Sequence, residues 1–170
     1  MLTEHAVGSV VELGCGEGNQ LTLLEAPRYL GLDVSATAVE LCLTRFEGDA
    51  TKSFLRYEPA HFSDPAGFLA GDLALSQEVI FHLVEDETYE RYMQDLFRAG
   101  RRLVLICASN RDERPEKHVR HRAFTGWVER HQPDWELVEH VPSPLPFDPA
   151  TGDGLDADFF LYARTASKTT

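Results

Sequence analysis

No apolar run in this chain reaches the roughly 20 residues that a membrane-spanning helix needs. Its first residues, MLTEHAVGSVVELG, carry no basic segment ahead of an apolar one, so no secretory signal is expected and the cytoplasm is the expected compartment. Cysteine is scarce: Cys15, Cys42 and Cys107 make an odd count with no CxxC spacing, which excludes a disulfide framework. Each lies in an apolar or glycine-rich stretch, so three reduced, mostly buried thiols are expected. Positive charge is also short. With 16 basic against 28 acidic residues the net charge is −12, a field that repels a phosphate backbone and argues against nucleic acid as a partner. Internal repeats and low-complexity segments are missing.

What remains is an ordinary globular composition, 43% apolar over 170 residues, enough for one domain with a real core. That domain is expected to span 1–170, with a core from about 8 to 164 and a frayed tail over 165–170. Strand-like and helix-like stretches alternate, the pattern of a mostly parallel sheet flanked by helices. Strands are expected at Ser9–Leu13, Tyr29–Val34, Ser53–Tyr57, Asp72–Gln77 and Arg102–Ala108. Helices are expected at Asn19–Glu25, ended by Pro27, and from a Ser35 N-cap to Phe46, with Ala38, Leu41, Cys42 and Phe46 on one stripe. A third helix has acidic Glu85, Asp86 and Glu87 at its start and Tyr89, Tyr92, Met93, Leu96 and Phe97 at helical spacing. Gly100 is expected to cap it. A charged loop from Ser109 to Arg122 leads to a short helix at Phe124–His131. Trp135–Val141 and Asp158–Arg164 then read as a closing pair of strands, with Pro142–Gly154 as the connection between them.

The informative stretch is Val10-Val11-Glu12-Leu13-Gly14-Cys15-Gly16-Glu17-Gly18-Asn19, a strand that runs into GxGxG and then a helix. Such glycines admit torsions closed to other residues and let a ligand approach the backbone. Asp33 ends the next strand about 20 residues on, where a carboxylate can accept both hydroxyls of a ribose. Both features fall at the carboxyl ends of neighbouring strands. The dinucleotide fingerprint is GxGxxG, and Gln20 falls short of its third glycine; Glu17 would also face the phosphates of such a ligand. S-adenosylmethionine (SAM) has no phosphate and carries cationic sulfonium and amino groups, which suit Glu12 and the carbonyls of the turn.

These residues resemble a known family. VVELGCGEGNQ resembles motif I of the class I SAM-dependent methyltransferases, YLGLDVS resembles their acidic motif on the second strand, and DLALSQEVIFHL their fourth-strand motif. The resemblance covers roughly Val10 to Ala108. It implies a doubly wound α/β fold with a mostly parallel seven-stranded sheet and an antiparallel last strand. It also implies SAM as cofactor and S-adenosylhomocysteine (SAH) as product. Gly14, Cys15, Gly16, Gly18 and Asn19 would form the turn around the cofactor, and Glu12 would hold its amino end. Asp33 would take the ribose diol and Val34 the adenine face. Ser76 and Gln77 would offer backbone groups beside the methionine portion. The acidic residue that meets the adenine edge is not evident; Glu58 and Asp64 both stand in range. Helices ahead of the first strand are reduced or absent here, so the pocket is expected to be open, or covered by a second copy, a partner chain or the charged loop.

Alignment of nucleophile and methyl supplies much of the acceleration of such a transfer, and a general base helps when the acceptor must lose a proton. His82, just after the fourth strand, is the candidate base, since imidazole changes charge near neutral pH. Its alternative is a ring bonded to backbone beneath the pocket. Glu78 and His82 echo a magnesium site reading E-x-x-E-H, but Phe81 replaces the second glutamate and no metal is expected. In the run His118-Val119-Arg120-His121-Arg122, His118, His121 and Arg122 could bind an anionic group of a substrate, or else form a solvated basic face. Trp127 and Trp135 read as core. Phe147, Asp148 and Asp153 lie in a connection that could line an acceptor site. The expected function is methyl transfer to the oxygen or nitrogen of a small molecule. The rival readings are a non-catalytic module that binds a partner protein, and an NAD-dependent oxidoreductase.

Overall fold

The computed structural model describes residues 3–147, 150–151 and 153–165. Asp148 and the expected tail beyond 165 therefore lie outside the described residues. Seven strands form one sheet: β1 (Val10–Leu13), β2 (Tyr29–Asp33), β3 (Lys52–Arg56), β4 (Gly71–Gln77), β5 (Gly100–Ala108), β8 (Trp135–Val141) and β9 (Asp158–Arg164), in the order β3-β2-β1-β4-β5-β9-β8. β1 to β5 pair in parallel, and β9 runs antiparallel to both β5 and β8. The order reverses at β1, so the carboxyl ends of β1 and β4 diverge around a crevice where open α/β sheets bind ligands.

Helices cover both faces. Helix α1 (Ala36–Arg45) starts at Ser35, whose Oγ accepts from the Ala38 N–H at 3.2 Å, the N-cap expected of that serine. Val39 and Cys42 of α1 pack on the face that carries Val10, Leu73, Leu75, Leu103 and Leu105. Helices α2 (Asp86–Ala99) and α3 (Phe124–His131) bury Met93, Leu96, Phe97, Trp127 and Val128 against Val11, Leu13, Val104 and Ile106 on the other face. Alternate residues along each strand thus supply two separate cores.

Four local expectations change. Asn19–Glu25 forms only a single 3-10 turn, Gln20–Leu23, with Leu23 88% exposed. Pro27 removes a backbone donor four residues after Leu23, leaving too few residues for a nucleated α-helix. Leu41 is exposed, because the inward stripe of α1 passes through Val39 and Cys42 instead. Gly100 has φ −86° and opens β5 in extended geometry, so it is not a left-handed cap. The charged loop holds a hairpin, β6 (Glu113–Glu116) with β7 (Val119–His121). Among the described residues no helix is long and apolar enough to cross a membrane.

Candidate active site

Chain geometry brings the two ligand-binding signals together. After β1 the chain turns through Gly14, Gly16 and Gly18, all at positive φ (85°, 53° and 71°). The reason differs along the turn. A Cβ at Gly14 would stand 2.4 Å from Val79 Cγ2, so that glycine is fixed by packing. A Cβ at Gly16 would meet nothing within 4 Å, so this apex looks onto free space. Asp33, at the end of β2, accepts the Gly16 N–H on Oδ2 and the Ser35 N–H on Oδ1, both at 2.8 Å. Each oxygen keeps a second acceptor direction for a ligand hydroxyl. The open apex, the carboxylate beside it and the absence of any phosphate-binding cation in the turn fit an adenosyl sulfonium ligand.

Cys15 points down from the turn into the sheet. Its Sγ would lie 2.8 Å from a Cβ at Gly31, the residue in the middle of β2, so a side chain at that position has no room. Cys15 and Cys42 both direct their thiols at the Gly16 carbonyl, and burial pushes the Cys15 thiol well above the usual range. All three cysteines are free and buried, as expected. Asn19 accepts from Arg45 Nη1 at 2.6 Å, which ties the end of the turn to α1.

Glu12 is 3% exposed. Its carboxylate accepts from the Tyr29 hydroxyl and, at 3.0 Å, from Gln77 Nε2. Burial raises its pKa, and its hydrogen bonds only partly offset that. Gln77 therefore engages its side chain with Glu12, a contact that the expectation of backbone groups alone did not include. Ser76 is fully buried and donates its hydroxyl to the Tyr92 oxygen at 2.8 Å, while the Tyr92 hydroxyl donates its one proton to the Leu13 carbonyl at 2.7 Å. Val34, beside Asp33, is 59% exposed. Asp64 accepts from the N–H groups of Phe68 and Leu69, whereas Glu58 stands just past β3, paired with Arg56 and His61.

Tyr29 and Tyr92 are the residues that sequence reasoning missed. The register pairs Val10 with Tyr29, which puts Tyr29 on the same face as Glu12. Only that register, a tertiary fact, carries the signal.

Beyond β4, Glu78 adopts φ 56° and donates its N–H to the Cys107 carbonyl, turning the chain into the 3-10 turn Ile80–His82. His82 is exposed, its ring 4.6 Å from that of Phe81, with no hydrogen bond to it among the described residues. The alternative of a ring tied to backbone is thus not what forms. No cluster of metal-ligating groups occurs among the described residues.

The expectation of one anion site from His118, His121 and Arg122 is corrected. His118 is an exposed residue paired with Glu116. His121 is buried and shares a hydrogen bond with Ser109, and burial lowers its pKa, disfavouring the charge an anion needs. Arg122 spends its donors on the carbonyls of Leu83 (2.5 Å) and Val84 (3.1 Å) and on Asp86, and lies over the Tyr89 ring at 4.3 Å. The three side chains serve three separate places.

Residues 11–105 match a family described as the methyltransferase domain. The chain belongs to that family. Its fold is that of the class I SAM-dependent methyltransferases. The methyltransferase is 36% identical to mRNA cap guanine-N(7) methyltransferase 1 of Arabidopsis thaliana over 67 residues, 38% of this chain and 17% of that one. This chain thus spans under a fifth of that relative's length. Its fold is similar to the methyltransferase domain of bacterial CtHen1-C (TM-score 0.72, 20% identity, 97% of this chain and 93% of that one). It is also similar to the N-methyltransferase NodS of Bradyrhizobium japonicum (TM-score 0.75, 17% identity, 97% and 90%).

Proposed function

We propose that this methyltransferase transfers the methyl group of SAM to a small-molecule acceptor, with the cofactor seated over the Gly14–Gly18 turn. The observation that carries the reading is the Asp33 carboxylate, bonded to the Gly16 N–H at the lip of the open apex. Asp33 takes the two ribose hydroxyls on the acceptor directions its own backbone partners leave free. Val34 covers the adenine, and Glu58, rather than the internally bonded Asp64, meets its edge. Glu12 and Gln77 line the amino end as one hydrogen-bonded unit.

When bound, SAM supplies a methyl carbon already activated by a positive sulfur. The chain's own task is then orientation and proton management. His82 is free to receive a proton from the acceptor. Ser109 and His121 form the wall of the acceptor side behind Phe81, whose ring stands 5.7 Å from that of His121. The net charge of −12 favours a small molecule over an RNA such as the capped message that names the Arabidopsis relative.

Calorimetric titration with SAH tests the reading. Micromolar-range binding that disappears in Asp33→Ala is the expected result. Equal affinity in that variant overturns the assignment of the pocket.

A further inference from the structure

A hollow of about 530 Å³ lies at the opposite end of the sheet from the cofactor turn, across the amino ends of β1 to β5. Its origin is a missing layer. Parallel strands are ordinarily covered on both faces by their crossover helices. The crossover from β3 to β4, residues 57–70, forms no helix. Tyr57 and Phe62 cover the carboxyl half of that face, with the Tyr57 hydroxyl bonded to Asp95 of α2 at 2.8 Å. The amino half stays open, where Leu55 is 44% exposed and Phe68 87%. Val11, Leu30 and Leu69 complete an apolar floor.

The charge of the hollow runs against that of the chain. In a molecule of net charge −12 it is lined by Arg28 and Arg101, and by no carboxylate among the described residues. Two acids adjoin it in sequence, and both are occupied. Asp72 accepts the Gly8 and Ser9 N–H groups at 2.8 and 3.1 Å, and Asp49 holds Lys52 and the Thr51 hydroxyl. The Arg28 guanidinium has no hydrogen bond or ion pair among the described residues. Arg101 gives one bond, from Nη2 to the Gly67 carbonyl at 3.2 Å, and keeps its other donors. Arg111, Arg120 and Arg122 at the carboxyl edge, by contrast, are all paired with aspartates.

Strand order sets the spacing of the two cations. Arg28 immediately precedes β2 and Arg101 is the second residue of β5, with β1 and β4 between them. Three strand spacings, roughly 14 Å, separate the two chain positions. One guanidinium thus stands at each end of an apolar floor.

We propose that this hollow is a ligand site, separate from the cofactor turn, for an elongated dianion with an apolar middle. A carboxylate at each end docks on one guanidinium, the planar fork that binds such groups at two points. The Ser53 hydroxyl, on the strand beside Arg28, lines the hollow and offers that end a further donor. The middle of the ligand lies over Leu30, Leu55 and Phe68, removing from water the apolar surface that a crossover helix would otherwise cover.

Dodecanedioate, dodecanoate and the corresponding diol form the test series, titrated calorimetrically into the full chain at concentrations where none self-associates. They share an apolar body and carry two, one and no charges. The dianion is expected to bind about tenfold more tightly than the monoanion, the scale of one charge-assisted contact, and the diol most weakly. Arg28→Gln and Arg101→Gln should each bring the dianion to the level of the monoanion, with SAH affinity unchanged. Phe68→Ser should weaken all three ligands alike by a few-fold. No binding, equal binding of the three, or dianion affinity unchanged in both arginine variants overturns the proposal. Displacement of the dianion by SAH does so too, because it would put the ligand on the cofactor turn.

Discussion

The carboxyl edge of the sheet has two halves built on different principles. Around β1 and β2 the site consists of backbone: three left-handed glycines, an apex with open space above it, and one carboxylate that bonds amides on both sides. Around β4 and β5 it consists of side chains that hold one another, with Arg122 on the Leu83–Asp86 segment, His121 on Ser109 and Arg111 on Asp156. A backbone site tolerates little variation, because its geometry is the chain itself. A side-chain site can be respecified one residue at a time, which suits a half proposed to meet the acceptor.

Four substitutions probe that contrast, the most damaging first. Asp33→Ala removes two ligand hydrogen bonds to a charged group and frees the Gly16 and Ser35 amides. SAH affinity should fall by about 100-fold or more in calorimetry, while the circular dichroism spectrum stays native. Gly16→Ala comes next. It puts a methyl into the open space over the turn and asks an alanine to keep φ 53°. SAH binding should weaken by about tenfold, with a loss of roughly 1–2 kcal/mol in denaturant stability. Binding that survives Gly16→Ala would move the cofactor off the apex.

On the other half, Arg122→Met should cost about 1–3 kcal/mol of stability by stripping the Leu83 carbonyl of its donor and leaving Val84 with Arg120 alone, yet leave SAH affinity within twofold. A large loss of SAH affinity in Arg122→Met would show that the halves are coupled. The smallest effect belongs to Glu12→Gln and has the opposite sign. Burial raises the Glu12 pKa in the fold, so its contribution to stability is full below the ordinary glutamate range and fades as pH climbs through the raised value. Glutamine does not titrate. The variant should therefore melt about 2–4 °C higher than the parent at pH 8 and lose that advantage near pH 4, while binding SAH less well.

The same contrast explains what could be read without coordinates. GxGxG and Asp33 are local signals with fixed backbone consequences, and the structure joins them directly. The strands at Trp135–Val141 and Asp158–Arg164 also stand where their alternation placed them. The helix after the glycines shrank to one turn because local propensity had too few residues to act on. His118, His121 and Arg122 are neighbours in sequence, but a hairpin sends alternate side chains to opposite sides, so adjacency said nothing about convergence.

The glycine at position 31 shapes the cofactor turn without ever touching a ligand. Cys15 sinks into the gap that this residue leaves in the neighbouring strand, much as a tenon seats in a mortise. The tilt of the turn is therefore set by the depth of that joint, two residues before Asp33. Filling the joint would raise the turn away from its carboxylate, so recognition would be lost at a substitution too mild to unfold the sheet.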